Sequence, residues 1–247
     1  MNIYLKDLER IEFSITMCCT GRCRHCSQGE HEGFSGHIDG AVAAELVEKV
    51  CRSYTVKSLM TFGGEPLLYP ETVCTIHSAA KRSGIPRREM ITNGFFSRDR
   101  ERIAAVSRML SESGVNRVLL SVDAFHQETI PLEPVRFFAD CLRREGIPPE
   151  IHPAWLGGMG ADNEYNSRTR ELLEQFRRSG YVISEGNNIF PKGNALKLMD
   201  GFEEAPADPY EEDPRHLHTL CIDADGRVLN GSIYEADITD IMDRYEP

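Results

Sequence analysis

Long hydrophobic runs are missing from this 247-residue chain. A membrane-spanning helix needs roughly 18 or more apolar residues in a row, and no such run occurs. The first residues, Met1 to Arg10, are polar and charged, so the sequence predicts no signal peptide and a cytoplasmic location. Positive charge is also scarce. Lys and Arg number 28 against 39 Asp and Glu, a net charge of −11. That balance makes nucleic acid and anionic membrane faces unlikely partners. It is compatible with a basic peptide or a small molecule. Low-complexity tracts are absent. Without an export signal, the eight cysteines read as free thiols or metal ligands rather than disulfides.

What is present is an ordinary soluble composition, 40% hydrophobic and 27% charged, long enough for one large domain. Ile11 to Met17 alternates like a strand. Asp39 is placed to cap a helix from about Gly40 to Ser53, where Val42, Leu46 and Val50 share a face. Val56 to Phe62 reads as a second strand. Pro70 then opens a helix as a favourable first-turn residue. Gly84, Gly114, Gly146 and Gly180 each close a helical stretch where a left-handed residue is wanted. Each is followed by a new strand: Glu89–Thr92, Arg117–Val122, Glu150–Trp155 and Tyr181–Ile189. The repeat of about thirty residues is the length of a βα unit. Six such units predict an α/β fold, a partial (β/α)6 TIM-like barrel over residues 1–195. An open doubly wound sheet is the alternative. Residues 196–247 form a C-terminal extension: an acidic linker from Phe202 to Pro214, a β-hairpin around Asp225-Gly226 and a short helix near Asp237–Tyr245.

The polar motifs gather at the predicted strand ends. Cys19, Cys23 and Cys26, spaced C-x3-C-x2-C, follow strand one. Gly63-Gly64-Glu65-Pro66 ends strand two, Thr92-Asn93-Gly94 strand three, and Ser121-Val122-Asp123 strand four. His152 lies on strand five, and Pro191-Lys192-Gly193-Asn194-Ala195 follows strand six. In either fold the carboxyl ends of the strands form the ligand-binding face. Three thiolates in one loop can hold three irons of a cubane cluster and leave the fourth iron open.

These motifs together resemble the radical S-adenosylmethionine (radical SAM) superfamily. They are most similar to its branch of peptide-modifying enzymes with SPASM or twitch C-terminal domains. The resemblance implies that Cys19, Cys23 and Cys26 ligate a [4Fe-4S] cluster whose open iron is chelated by SAM. It implies that Gly63, Gly64 and Glu65 receive the methionine amino group, and that Ser121 and Asp123 contact the ribose or the methionyl end. Asn93 joins this SAM-binding set, and His25 would lie by the adenine. Reductive cleavage of SAM would yield a 5′-deoxyadenosyl radical that removes hydrogen from a peptide or small organic substrate. An electron donor such as flavodoxin or ferredoxin is implied as a partner.

Plainer readings compete at several positions. A zinc site would need a fourth ligand such as His25 or Cys18. Cys18 reads better as a packed thiol, as do Cys51, Cys74 and Cys141 in helices. His126 and His152 are candidate acid/base groups, although a lone histidine is more often structural. Asn194 stands where relatives often carry arginine. Cys221 resembles the first cysteine of an auxiliary-cluster segment, but Leu229-Asn230-Gly231 occupies the place of the next one. One cysteine cannot hold a second cluster, so Cys221 is either inert or a hydrogen donor. Two other functions stay open, a glycyl-radical-enzyme activase and a non-catalytic partner protein that keeps the fold.

Overall fold

A computed structural model of the chain describes residues 2–199 and 206–247. Phe202, Glu203 and Glu204 of the acidic linker lie outside the described residues. Strand β1 (Arg10–Ser14) leads into the cysteine loop. Helix α1 (Gly40–Ser53) follows, and Asp39 caps it by accepting from the Ala41 and Val42 amides at 2.8 and 3.0 Å. The units β2–α2 (Ser58–Phe62, Pro70–Arg82), β3–α3 (Arg87–Thr92, Arg100–Ser113) and β4–α4 (Arg117–Ser121, Leu132–Arg144) repeat the pattern. The four predicted stop glycines all take the left-handed conformation, with φ between 76° and 91°.

The last two units are more broken than the sequence predicts. Strand five divides at Pro153, which has no N–H for a ladder, into β5 (Glu150–His152) and β6 (Ala154–Trp155). After α5 (Glu164–Arg178), strand six divides into β7 (Val182–Ile183) and β8 (Asn187–Asn188), around Gly186 at φ 76°. A β-carbon on Gly186 would stand 2.1 Å from the Pro153 carbonyl oxygen, so the two breaks pack against each other. β6 and β8 pair as a separate small sheet. A short helix α6 (Ala195–Leu198) follows.

The C-terminal hairpin is built from β9 (Thr219–Ile222), β10 (Arg227–Val228) and β11 (Gly231–Ser232), before a short helix α7 (Ile238–Asp243). It is more than an appendage. β9 runs parallel to β1, with Cys221 opposite Glu12. The main sheet is therefore β11-β10-β9-β1-β2-β3-β4-β5-β7, and its seven strands from β9 to β7 are all parallel.

Strand alternation divides the two faces of this sheet. Ile11, Phe13, Leu59, Val118 and Leu120 turn outward into a core shared with Val73, Ile76, Val106, Leu110, Val135 and Phe138 of the helices. Glu12, Met60, Ile91, Leu119, His152 and Cys221 turn inward and line one cavity. Residues of six adjacent strands can face a single cavity only if the sheet curls. The architecture is the expected partial TIM-like barrel, not a doubly wound sheet, and it does not close.

An ionic network spans the amino-terminal end of these strands. Glu89, 1% exposed, is met by Arg10 Nη1 at 2.8 Å, Arg117 Nη1 at 2.5 Å and Arg87 Nε at 3.0 Å. Arg117 also grips Glu150 with two bonds of 2.8 and 2.9 Å. Burial alone would raise the pKa of Glu89, but the hydrogen bonds from Arg10 and Arg117 outweigh it and hold the carboxyl below its usual range.

Candidate active site

At the opposite end of the strands the cysteine loop covers the cavity, whose volume is about 510 Å³. Cys19, Cys23 and Cys26 all line it. Cys18 does not, and its thiol lies 3.1 Å from the Phe34 carbonyl oxygen. The loop is held from four sides. His31 places one ring nitrogen 3.2 Å from Cys26 Sγ and the other 2.7 Å from the Met17 carbonyl oxygen. Arg24 grips Glu128 with bonds of 2.6 and 3.0 Å. The Asn194 amide donates to the Cys26 carbonyl at 2.9 Å. The Glu65 amide donates to the Cys18 carbonyl at 2.8 Å.

Burial pushes the Cys19 thiol up to about 11, raises Cys26 and raises Cys23 further still. Mutual repulsion adds to the shift of Cys23. Three crowded thiols that resist ionisation are a poor arrangement by themselves. A bound cationic cluster outweighs burial and repulsion alike, because a coordinating thiol is deprotonated outright. The donor set therefore fits an iron–sulfur cluster held by three cysteines.

Gly63 and Gly64 face the cavity, but a more immediate constraint fixes them as glycine. A β-carbon on Gly63 would meet Ser14 Oγ at 2.2 Å, and one on Gly64 would meet the Cys18 carbonyl oxygen at 2.2 Å. Both have positive φ, 87° and 49°. Glu65 is the residue expected to take a ligand ammonium. It is fully buried, does not line the cavity, and accepts from Thr92 Oγ1 at 2.7 Å and from the Leu67 and Asn93 amides at 2.9 Å. Burial raises its carboxyl to about 7, against those three bonds. Its direct effect is on Asn93, whose side-chain amide reaches Thr20 Oγ1 at 3.2 Å and Cys19 Sγ at 3.6 Å.

Ser121 and Asp123 both line the cavity. The Asp123 carboxylate is already engaged, with the Phe125 and His126 amides on Oδ1 and the Ala154 amide and His126 Nδ1 on Oδ2, the last at 2.7 Å. Burial opposes its ionisation, but His126 prevails and holds it well below the carboxylate range. A ribose contact would have to share these oxygens. His25 packs at a tilt against Phe125 at 4.9 Å and edge-on against His126 at 4.7 Å, its Nδ1 is buried with no hydrogen-bond partner among the described residues, and burial lowers the ring to about 4. Asn194, considered in place of an arginine, turns instead to the Cys23 and Gly29 carbonyls at 3.4 and 3.3 Å.

A family model described as the Radical SAM superfamily matches residues 13–152, more than half of the chain. The chain belongs to the radical SAM superfamily. Its cofactors are accordingly a [4Fe-4S] cluster and S-adenosylmethionine. This radical SAM chain is 28% identical over 128 residues to a GTP 3′,8-cyclase of Clostridium perfringens, covering 51% of this chain and 38% of that protein. It is 26% identical over 123 residues to a probable GTP 3′,8-cyclase of Methanocaldococcus jannaschii, covering 50% and 39%. The match thus spans well under half the length of these curated relatives. Among solved structures, native anSMEcpe with bound AdoMet and Cp18Cys peptide superposes with a TM-score of 0.59 at 14% identity, covering 92% of this chain and 75% of that one. BtrN in complex with AdoMet and 2-DOIA gives 0.52 at 17%, covering 95% and 82%. At such identities the likeness is one of fold.

Two features of the radical SAM site were not legible beforehand. His31 carries no motif that marks it as the partner of Cys26. Glu12, Tyr210 and Cys221 meet in the cavity only because β9 adds to β1. Cys221, exposed in the open cavity, lies 3.9 Å from Glu12 Oε2, and the protein around it together with the Glu12 carboxylate raises its thiol.

Proposed function

We propose that this chain is a radical SAM enzyme that removes a hydrogen atom from a peptide or a small organic substrate held on the concave face of the sheet. One observation carries this reading. A single cavity joins the three cysteines at one end to Glu12, His152 and Cys221 further down the strands. Cys19, Cys23 and Cys26 would hold the cluster. Bound there with SAM, it supplies a 5′-deoxyadenosyl radical on one-electron reduction. Asn93, set by Glu65, orients the Cys19 side of the loop. Gly63 and Gly64 let the end of β2 lie against it. The apolar walls, among them Met60, Ile91 and Leu119, keep water from a reactive centre. A soluble electron donor such as flavodoxin or ferredoxin completes the system.

The curated relatives act, by their names, on GTP. The cavity argues against a triphosphate here. Its cationic lining residues are Arg10 and Lys192, and both are already paired, Arg10 with Glu12 and Glu89 and Lys192 with Asp208 at 2.8 Å. A polyphosphate needs free cations or a metal. The test is anaerobic reconstitution with iron and sulfide, then dithionite and SAM, with 5′-deoxyadenosine as the product measured. A fully loaded protein that makes none is not this enzyme.

A further inference from the structure

Further down the strands the cavity holds a polar pair that the cluster and SAM residues do not include. Glu12 on β1 stands between Met60 of β2 and Cys221 of β9 in the strand registers. All three line the cavity, so the Glu12 side chain lies on the concave face. Its Oε1 is taken by Arg10 Nε at 2.5 Å. Its Oε2 meets only the Cys221 thiol among the described residues, at 3.9 Å, and a thiol is a weak donor. The carboxylate is not sealed in. Some 15% of its side chain stays exposed, and Cys221 beside it is exposed as well. A carboxylate oxygen has two acceptor sites, so Oε2 keeps room for a ligand donor.

Tyr210 comes from another part of the chain. The segment that carries it is tied on one side by the Lys192–Asp208 pair at 2.8 Å. On the other side Glu212 accepts from the Thr219 hydroxyl of β9 at 2.6 Å. Tyr210 lines the same cavity and is 58% exposed. Its hydroxyl accepts from Asn187 Nδ2 at 2.9 Å, and no acceptor for its own proton is found among the described residues. The protein around it, then the Glu12 carboxylate, raise the phenol above its ordinary range, so it stays protonated and can donate. Glu12 and Tyr210 are thus an open acceptor and an open donor. The charge of one acts on the other, yet no hydrogen bond joins them. What fits between them must show a donor on one side and an acceptor on the other. A trans amide has this shape, with N–H and C=O on opposite edges of one plane. The site also balances without a charged ligand. Arg10, Arg87 and Arg117 meet Glu12, Glu89 and Glu150, three cations against three anions.

We infer that Glu12 and Tyr210 form a substrate-binding pair that grips an uncharged secondary amide, its N–H on Glu12 Oε2 and its carbonyl oxygen on the Tyr210 hydroxyl. This rests on the proposed reading that the substrate lies in this cavity, and it selects a peptide or another amide over a polyol. A site that pairs with an N–H discriminates against the analogue that lacks it, because the acceptor is then left unfilled. An ester has the shape of the amide without that donor, so it separates the two halves of the pair.

The experiment is binding to the full chain, loaded with cluster and SAM but not reduced, followed by saturation-transfer NMR on the probe. N-methylacetamide is the amide, methyl acetate its isostere without the N–H, and glycerol the polyol. N-methylacetamide should bind saturably, at least tenfold tighter than methyl acetate or glycerol. Tyr210→Phe removes the donor to the carbonyl. It should weaken amide and ester alike, at least threefold, and leave their ratio in place. Glu12→Gln keeps one oxygen for Arg10 and turns an N–H to the cavity, so the ratio should fall below threefold. No saturable binding of the amide, a wild-type ratio near one, a ratio that Glu12→Gln leaves unchanged, or tighter binding of glycerol would overturn the inference. Binding is read without turnover. A protein that binds the amide but forms no 5′-deoxyadenosine on reduction therefore sinks the radical reading alone, and one that forms it without preferring the amide sinks this inference alone.

Discussion

Gly64 leaves no room beside Cys18. A β-carbon there would stand 2.2 Å from the Cys18 carbonyl oxygen, and the next amide, of Glu65, donates to that same oxygen at 2.8 Å. The end of β2 and the start of the cysteine loop are one packed unit. Gly64→Ala combines a backbone clash with an unfavourable φ, so it should destabilise the fold by about 3 kcal/mol or displace the loop. Urea denaturation and iron content after reconstitution measure the two outcomes. Wild-type values in both would refute the packing argument.

Cys19, Cys23 and Cys26 should be needed for iron but not for folding. Replacing any one with Ser should lower incorporated iron at least tenfold and abolish SAM cleavage. The unloaded protein should unfold within about 1 kcal/mol of wild type, since a serine hydroxyl can take over the thiol contacts with Asn93 at Cys19 and with His31 at Cys26. Full iron loading in the triple variant would place the cluster elsewhere.

Glu89 neutralises three arginines at the amino-terminal end of the barrel. Glu89→Gln removes the buried carboxylate that the three share, while Arg10 keeps Glu12 and Arg117 keeps Glu150, and should cost about 2 kcal/mol at pH 7. Its folded pKa is lowered, so its contribution is present above the ordinary value of 4.5 and is lost as pH falls through the folded value. The gap between wild type and variant should therefore narrow below about pH 4. A gap that stays constant from pH 7 to pH 3 would contradict this.

Glu65 has the opposite sign. Burial raises its pKa to about 7 from 4.5. Its contribution is fully present below 4.5 and is lost as pH rises through 7, a change of about 3 kcal/mol at most for the unloaded protein. Thermal unfolding between pH 5 and 8 should show this slope in wild type. Glu65→Gln, which does not titrate, should flatten it, though at lower overall stability because an amide nitrogen would face the Asn93 or Thr92 donors. Equal slopes in both proteins would show that the carboxyl does not titrate there.

Legibility in the sequence followed the range of the interaction. Asp39 as a cap, Pro70 at a helix start and the four stop glycines act on residues within one turn, and all were readable. The split of strands five and six was not. It depends on Gly186 meeting Pro153, two positions distant in the chain that each read as tolerable breaks alone. The motif residues were recognised at the strand ends, yet three carry tasks that their motif does not announce. Glu65 and Asp123 bind their own backbone, and Asn194 props the cysteine loop. A motif records which residue types stand together. It does not record which partner takes each hydrogen bond.

By itself, then, the sequence determined the alternation of strand and helix, the face on which the polar motifs gather, and the grouping of three cysteines in the loop after β1. These follow from periodicity and short-range sterics, which a chain carries locally. Only the tertiary structure decided that β9 extends the barrel and brings Cys221 against Glu12, 209 residues away. It alone decided that Glu65 is buried against Thr92, Leu67 and Asn93 and that His152 meets Ser184. Those outcomes depend on which distant groups compete for the same few donors and on the loss of water around them, and neither is written in any one segment.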